Sequence, residues 1–356
     1  MMLANNSTSA ATVSAEQRYC VDNETLRVPL AVLYSVIFTL GLVGNLLALW
    51  VFFCVHSKKN SVRVFLINLA FADLLLVVCL PFRIHYHSVG NTWTLDPLLC
   101  KAVGHLFYMN MYISITLLGL ISIDRYMKIY GCREMQCKLR STTWSIVLCT
   151  LIWIVAFALL VPFIVSKNSS RQNMCFHYRT ISQLWKAYIN IALLVIFWLV
   201  FISLMMFYGK IAQKLLKRSH EKPDLPTAHH YNRTAKKSFF ILFLFIVCFV
   251  PYHIVRGFYI QTQITSTSCY WQNVVDKANE IALVFSALNS CLDPVMFFLL
   301  SSAVRKEVRR FMSGTFRTKD VARVSGTSSM SDTDGRNNNG QLNVNTISNL
   351  LITDAL

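Results

Sequence analysis

The sequence predicts an all-α membrane protein, with seven transmembrane helices in a bundle and a short amphipathic helix after them. Composition is the first observation: 54% of the 356 residues are hydrophobic and 14% are charged, whereas soluble domains carry about 25% charged residues. The second observation is that the apolar residues come in long runs. The third is that the basic residues lie in alternate connections between those runs.

The apolar runs are roughly 20 residues or longer, which is the length a helix needs to cross a bilayer core of about 30 Å. Backbone groups in lipid need internal partners, so each run is predicted to be a helix. The predicted spans are residues 28–54, 64–88, 100–127, 143–165, 186–209, 238–260 and 278–300. They divide the chain into a glycosylated extracellular N-terminus (1–27), the bundle (28–300), a helix on the membrane surface (301–312) and a disordered cytoplasmic tail (313–356).

The basic residues distinguish the two sides of the predicted bundle. Lys and Arg concentrate within residues 58–63, 128–140, 210–237 and 305–310. Because positive residues stay on the cytoplasmic side, we expect a multi-pass plasma-membrane protein with its N-terminus outside the cell and its C-terminus in the cytoplasm. Anionic lipid beside these loops accounts for much of the net charge of +17. Membrane lipid, and not nucleic acid, is therefore their expected partner.

The segments predicted to lie outside carry glycosylation sites and cysteines. Asparagines that begin Asn-x-Ser/Thr sites are Asn5, Asn6, Asn23 and Asn168. The cysteines in this oxidising space are Cys20, Cys100, Cys175 and Cys269. Four cysteines allow three pairings. The location of Cys100 at the outer end of the third span, and of Cys175 in the next outer loop, favours Cys100–Cys175, which leaves Cys20 with Cys269.

Two carboxyl groups lie inside predicted spans, where ionisable side chains are costly and indicate a function. They belong to Asp73 and Asp293, and other polar residues at similar depth are Asn45, Asn110, Ser114 and Asn289. Such oxygens suit a small hard cation such as sodium. The alternative is a hydrogen-bonded polar core with one carboxyl group protonated, and the two arrangements can alternate between states. No cofactor and no other metal is expected.

The order of motifs over about 270 residues resembles that of the rhodopsin-like (class A) G-protein-coupled receptors. The motifs are Gly-Leu-Val-Gly-Asn45, Asn68-Leu-Ala-Phe-Ala-Asp73, Cys100, Asp124-Arg125-Tyr126, Trp153, Pro251 and Asn289-Ser-Cys-Leu-Asp293-Pro294. The resemblance implies a receptor that is not an enzyme and that activates heterotrimeric G proteins, with the inhibitory class expected for its branch.

The resemblance also implies a switch at the cytoplasmic end, in which Asp124 restrains Arg125 until Arg125 meets the G protein. Helix 6 is expected to swing about Pro251, where a missing N–H weakens the helix. The other implied switch residues are Tyr126, Tyr208, Phe249, Pro294 and Phe297. Phe297 stands where the family usually has Tyr, and Phe249 where Trp is commonest. These departures bear on the efficiency of coupling, not on the fold.

The outer half of helix 6 points to an anionic ligand. His253 and Arg256 are three residues apart and so share a helix face, and Arg is the side chain that grips phosphate or carboxylate with two donors. Arg179, Lys186 and Arg83 add positive charge to the same end. The alternative for Arg256 is a side chain that reaches out to the membrane interface.

Within the family, the chain resembles the purinoceptor-like branch and is most similar there to receptors for lysophosphatidylserine. That resemblance implies a head-group site made of Tyr108, Arg179, Arg256, Asn279 and Glu280. The two arginines would bind phosphate and carboxylate, and Glu280 would bind the ammonium. Apolar faces of helices 4 and 5 would admit the acyl chain, although ordinary lipid-facing surface has the same composition.

Three alternatives stay open at this point. The first is a receptor of the same branch for an ADP-like nucleotide, and the second is a receptor for a peptide or a different lipid. The third is a membrane transporter, although we find no internal repeat of the kind that transporters show. The tail predicts regulation by receptor kinases and arrestin at Ser325, Thr327, Ser328, Ser329, Ser331 and Thr333.

Overall fold

The computed structural model describes residues 24–55, 60–130, 141–165, 175–176, 178, 184–221, 226–265, 267–301 and 304–310. Over these ranges the protein is helical. The helices are α1 Glu24–Trp50, which continues as a π-helical turn Val51–Val55, α2 Ser61–Ser88, α3 Pro97–Tyr130, α4 Thr142–Val165, α5 Leu184–Glu221, α6 Pro226–Ile264, α7 Cys269–Leu300 and α8, residues 304–310.

Helices α1 to α7 are each long and apolar enough to cross a membrane, which confirms the predicted seven-helix bundle and, with α8, the short helix after it. The helices run beyond the predicted spans because a helix does not end where it leaves lipid. The largest extension is in α5 and α6, which reach Glu221 and begin again at Pro226. Proline suits the first turn of α6, where its missing N–H would have no helical partner.

Helix α3 lies at the centre of the bundle, and α4 and α5 lie at its edge. In the most apolar 18-residue stretch of each helix, 67% of the stretch is buried in α3, compared with 11% in α4 and 17% in α5. The exposed side chains of α4 and α5 are large and apolar, as expected for helices that contact lipid. The side chains of α3 are therefore held on several sides.

Polar side chains join the helices at several depths. Trp153 Nε1 donates to Asn68 Oδ1 at 3.0 Å, which joins α4 to α2, and Asn45 Nδ2 donates to the Ser290 carbonyl at 2.9 Å, which joins α1 to α7. Gly44 allows α1 to approach the proline of α7, since a Cβ there would lie 2.6 Å from Pro294 Cγ. Any larger residue at position 44 would push α1 away from α7.

The predicted disulfide Cys100–Cys175 is confirmed, with a Cα–Cα distance of 5.9 Å. Cys269 is also disulfide-bonded, but its predicted partner Cys20 lies outside the described residues. So do the glycosylation sites Asn5, Asn6, Asn23 and Asn168. The end of the bundle that carries Cys100–Cys175 is called the disulfide end below, and the end that carries Asp124 is called the Asp-Arg-Tyr end.

Candidate functional site

A small cavity of about 180 Å³, with charged and polar residues in its lining, opens at the disulfide end between α2, α3, α6 and α7. Its lining is Arg83, Cys100, Lys101, Gly104, His105, Tyr108, Phe176, Tyr259, Asn279 and Glu280. Three predicted head-group residues, Tyr108, Asn279 and Glu280, are thus brought together. The buried Oδ1 of Asn279 has no hydrogen-bond partner in the described ranges, so it is able to accept one from a ligand.

A larger cavity of about 510 Å³ lies between α3, α4, α5 and α6. Most of its lining is aliphatic or aromatic, and α4 and α5 face each other across it. Several lining residues, including Leu151, Val155 and Ile196, are also exposed on the outside of the bundle. These residues lie in the apolar, membrane-spanning parts of α4 and α5, whose outer surface contacts lipid. The cavity therefore opens sideways to the membrane.

The two cavities are neighbours, since His105 and Tyr108 line both of them. The pair therefore places polar and charged side chains beside a largely apolar space. A molecule with a charged head and a long apolar tail matches this division of chemistry, because each part would lie against groups of its own polarity.

Arg256 lies in the wall of the large cavity. Its Nη2 donates to Asn190 Oδ1 on α5 at 2.8 Å, and its guanidinium carbon lies 5.0 Å from the ring centre of Tyr259 and 5.7 Å from that of Tyr108. These partners hold the side chain in place without an opposite charge. The guanidinium group is therefore able to bind an anion.

His253, the other predicted residue on this helix, is directed away from the cavity. Its ring stacks on Phe197 with ring centres 3.5 Å apart, and its Nδ1–H donates to the Phe249 carbonyl at 2.8 Å. Phe197 lines the large cavity and His253 does not. The histidine thus supports a wall of the cavity from behind, and direct ligand contact by His253 stays a prediction.

Arg83 and Glu280 form a buried ion pair that the sequence interpretation did not include, with Nη1 3.4 Å from Oε2. Arg83 is 2% exposed and Glu280 4%. Nη1 also lies 3.2 Å from the Tyr34 hydroxyl oxygen, to which it donates. The signal was present in the sequence, since both residues are ionisable groups within predicted spans near the same end.

The described part of the loop between α4 and α5 is fixed to α6 at this end. The Tyr178 hydroxyl donates to the Thr262 carbonyl at 2.6 Å, and burial raises the pKa of Tyr178, so the donor stays protonated at neutral pH. Arg179, the remaining predicted head-group residue, lies outside the described residues.

The predicted polar core lies halfway along the bundle, where Asp73 is beside Asp293 and Asn289. Asn289 Nδ2 donates to Asp293 Oδ2 at 2.8 Å. Buried oxygens without a hydrogen-bond partner among the described residues are Asp73 Oδ1 and Oδ2, Asn110 Oδ1, Ser114 Oγ, Asn289 Oδ1 and Asp293 Oδ1. This donor set fits sodium. The described ranges contain no cluster of three or more His, Cys, Asp or Glu side chains that would hold another metal.

At the Asp-Arg-Tyr end, Asp124 pairs with Lys128, with Oδ2 2.7 Å from Nζ. The described ion pairs include none between Asp124 and Arg125, and the buried Nε of Arg125 has no partner there. The predicted restraint of Arg125 by Asp124 therefore stays a prediction.

Aromatic packing surrounds the other predicted switch residues. Tyr126 stacks on Tyr130 with ring centres 4.6 Å apart, and Phe249 is buried against Phe245. The Tyr208 hydroxyl donates to Ser122 Oγ at 2.9 Å, which joins α5 to α3.

Phe297 is fully buried, and its ring centre is 6.0 Å from that of Phe52 in the π-helical turn of α1. The phenylalanine at position 297, where the family usually has tyrosine, thus packs in an apolar environment that needs no hydroxyl group.

Comparisons with known proteins agree with this architecture. The family model for the 7 transmembrane receptor (rhodopsin family) matches residues 44–297. The chain is 47% identical to the mouse protein "Probable G-protein coupled receptor 34" over 312 residues, which cover 85% of this chain and 83% of the relative. It is 32% identical to bovine purinoceptor 14, covering 84% and 90%. It is 33% identical to the human uracil nucleotide/cysteinyl leukotriene receptor, covering 79% and 76%. The chain is thus a receptor and not an enzyme, and it belongs to the rhodopsin family of seven-transmembrane, G-protein-coupled receptors, in the purinoceptor-like branch.

Proposed function

We propose that this receptor is activated by an anionic lysophospholipid, that lysophosphatidylserine fits its site best, and that it signals through the inhibitory class of heterotrimeric G proteins. The observation that carries the proposal is the pair of adjacent cavities, one lined mostly by polar and charged residues and the other apolar and open to lipid. In this arrangement the disulfide end faces outside the cell and the Asp-Arg-Tyr end faces the G protein.

The acyl chain would occupy the large cavity. Its volume of about 510 Å³ lies within the range of about 300–1,000 Å³ that is common for ligand pockets. A lysophospholipid has one acyl chain and is itself a membrane component, so it is able to enter between α4 and α5 from the bilayer. The apolar faces of these helices then have a ligand-binding role in addition to lipid contact.

The head group would lie near Tyr108, which lines both cavities. Arg256 has only neutral partners here, so its fork of donors suits a phosphate. Asn279 and Glu280 line the small cavity and would bind the ammonium of the serine, with Arg179 as a further contact. Lysophosphatidylserine carries a phosphate, a carboxylate and an ammonium, and this set of residues provides a partner for each.

A nucleotide is the second candidate, since one relative is named as a purinoceptor and another as a receptor for uracil nucleotides and cysteinyl leukotrienes. A nucleotide would be held by Arg256 and the small cavity. It has no long apolar part to cover the lining of α4 and α5, which is why we favour the lipid.

Two further elements belong to the proposal. A sodium ion at Asp73 and Asp293 would stabilise the resting arrangement of α2 and α7. Phosphorylation by receptor kinases and recruitment of arrestin would act on the tail, which lies outside the described residues.

The test is G-protein activation in membranes that contain the receptor, with lysophosphatidylserine compared with ADP and uridine nucleotides. Arg256→Gln should reduce potency for lysophosphatidylserine about 10- to 100-fold, since hydrogen bonds to charged groups contribute about 1.5–3 kcal/mol. The matched control is Arg27→Gln, which changes a half-buried arginine that pairs with Glu24 in the same helix. A response to nucleotides alone, or an unchanged response of Arg256→Gln, would contradict the proposal.

A further inference from the structure

The ion pair between Arg83 and Glu280 faces the small cavity, and both side chains are part of its lining. The pair joins α2 to α7. At 3.4 Å it is longer than the 2.7–2.9 Å typical of charge-assisted hydrogen bonds. Arg83 is therefore held near Glu280 without the short, two-point contact that an arginine and a carboxylate are able to form.

The guanidinium group of Arg83 also retains unused donor capacity. An arginine has five N–H donors, and the two acceptors found for Arg83, Glu280 and Tyr34, both lie against Nη1. Its buried Nε has no hydrogen-bond partner in the part of the chain that the structure describes. A buried arginine with an unpaired donor, beside a cavity, is suited to bind an additional anionic group.

Two aromatic rings fix the position of this side chain. The guanidinium carbon lies 4.5 Å from the ring centre of Phe107 and 4.5 Å from that of Phe176. Such contacts stabilise the cation without neutralising it. Arg83 is thus preorganised at the cavity wall and would lose little conformational freedom when a ligand binds.

The charges around the small cavity determine which ligands it favours. Arg83 and Glu280 are one positive and one negative charge, both buried, while Lys101, the third charged residue of the lining, is only half-buried. A purely anionic group in the cavity would have to compete with Glu280 for Arg83. A purely cationic group would compete with Arg83 for Glu280. A group that carries both charges provides each residue with a partner.

We propose that Arg83 and Glu280 together bind the zwitterionic, amino-acid end of the ligand, with the carboxylate on Arg83 and the ammonium on Glu280. This inference rests on the proposed lysophospholipid ligand and assigns its parts: the amino acid to the small cavity, the phosphate to Arg256 and the acyl chain to the large cavity. Arg83 is then a specificity-determining residue, because it distinguishes a head group with a carboxylate from one without.

The experiment measures binding to the purified full-length receptor, by competition and by thermal stabilisation, with four ligands of equal acyl chain. They are lysophosphatidylserine, lysophosphatidylethanolamine (ammonium without carboxylate), the analogue with 3-hydroxypropionate in place of serine (carboxylate without ammonium) and lysophosphatidic acid (neither). The wild type should bind lysophosphatidylserine most tightly. Arg83→Gln should abolish the preference for it over lysophosphatidylethanolamine, a change of roughly tenfold.

Glu280→Gln should do the reverse and abolish the preference for lysophosphatidylserine over the 3-hydroxypropionate analogue. Each single variant leaves one buried charge alone, so Arg83→Gln/Glu280→Gln, which removes both charges, is the decisive folded variant. It should bind all four ligands with similar affinity, while the control Arg27→Gln keeps the wild-type order.

Two results would overturn the inference: the wild-type order of ligand affinities in the double variant, or an equal loss of affinity for all four ligands in Arg83→Gln. Either would mean that Arg83 acts only as a structural partner of Glu280. Failure of the proposed function gives a different result, namely a purified receptor that discriminates the head groups but no G-protein activation by lysophosphatidylserine. A wild type that binds none of the four ligands would overturn both.

Discussion

The buried ion pair at the disulfide end and the ion pair at the Asp-Arg-Tyr end differ in whether they join two helices. At the disulfide end the partners are on different helices, Arg83 on α2 and Glu280 on α7. At the Asp-Arg-Tyr end, Asp124 pairs with Lys128 four residues along the same helix. A ligand that binds Arg83 and Glu280, as proposed, would therefore act on a contact between helices. At the second end the ion pair lies within α3, and contacts between helices come from other groups, such as Lys214 Nζ, which donates to the Ile129 carbonyl at 2.7 Å and joins α5 to α3.

The largest effect that we expect is the difference in stability between a variant that breaks the pair joining two helices and a variant that breaks the pair within one helix. Arg83→Met leaves Glu280 buried without an opposite charge, which costs about 3–5 kcal/mol. Lys128→Met removes a partly exposed pair within one helix, which contributes about 0.3–0.5 kcal/mol. Thermal unfolding of the purified receptor in one detergent compares the two, and Arg83→Met should lower Tm far more.

The control for this comparison is Arg83→Met/Glu280→Leu, which removes both charges. It should recover most of the stability, because a buried pair replaced by apolar residues is often neutral or stabilising. Similar losses for Lys128→Met and Arg83→Met would show that the two ends do not differ in the way described.

The region between the two ends has a third arrangement, in which two carboxyl groups lie together with oxygens that have no partner in the described ranges. If sodium binds there, it should stabilise the receptor by about 1.4 kcal/mol at ten times its dissociation constant and should weaken agonist binding. Asp73→Asn should remove both effects. Unfolding and agonist competition in sodium chloride, with choline chloride at equal ionic strength as the control, measure them.

A sodium response that persists in Asp73→Asn would place the ion elsewhere. The absence of a sodium response in the wild type would favour the hydrogen-bonded polar core with one carboxyl group protonated. Asp276→Asn is a suitable matched variant, since Asp276 is a buried carboxylate of α7 near the disulfide end, beside Tyr259.

The seven spans could be predicted because the length and polarity of a segment decide whether it crosses a bilayer, and neither property depends on the rest of the fold. Cys100–Cys175 followed from the sidedness of the loops. The pairing of Arg83 with Glu280 could not be predicted in this way, since it joins positions 197 residues apart and depends on how α2 and α7 are rotated. The sequence indicated only that both residues needed a partner.

Local helix geometry accounts for the other differences between the sequence predictions and the structure. Adjacent residues of a helix do not face each other, whereas residues four apart do, so Asp124 meets Lys128 more readily than Arg125. His253 and Arg256 share one side of α6, yet an offset of three residues is enough to place His253 behind Phe197 and Arg256 in the cavity wall. Phe52, which contacts Phe297, lies in the π-helical turn at the end of α1, a turn that hydrophobic patterning does not reveal.

The smallest effect that we expect concerns the hydrogen bond from Tyr208 to Ser122, which joins helices at the Asp-Arg-Tyr end. Hydrogen bonds between membrane helices contribute about 0.6 kcal/mol on average, so Tyr208→Phe should lower Tm only slightly. Ser122→Ala removes this bond and also the bond from Ser122 Oγ to the Leu118 carbonyl, so the double variant should be no worse than Ser122→Ala alone. Additive losses in this cycle would show that Tyr208 and Ser122 act separately. A loss as large as that of Arg83→Met would mean that the Asp-Arg-Tyr end is held as firmly between helices as the disulfide end.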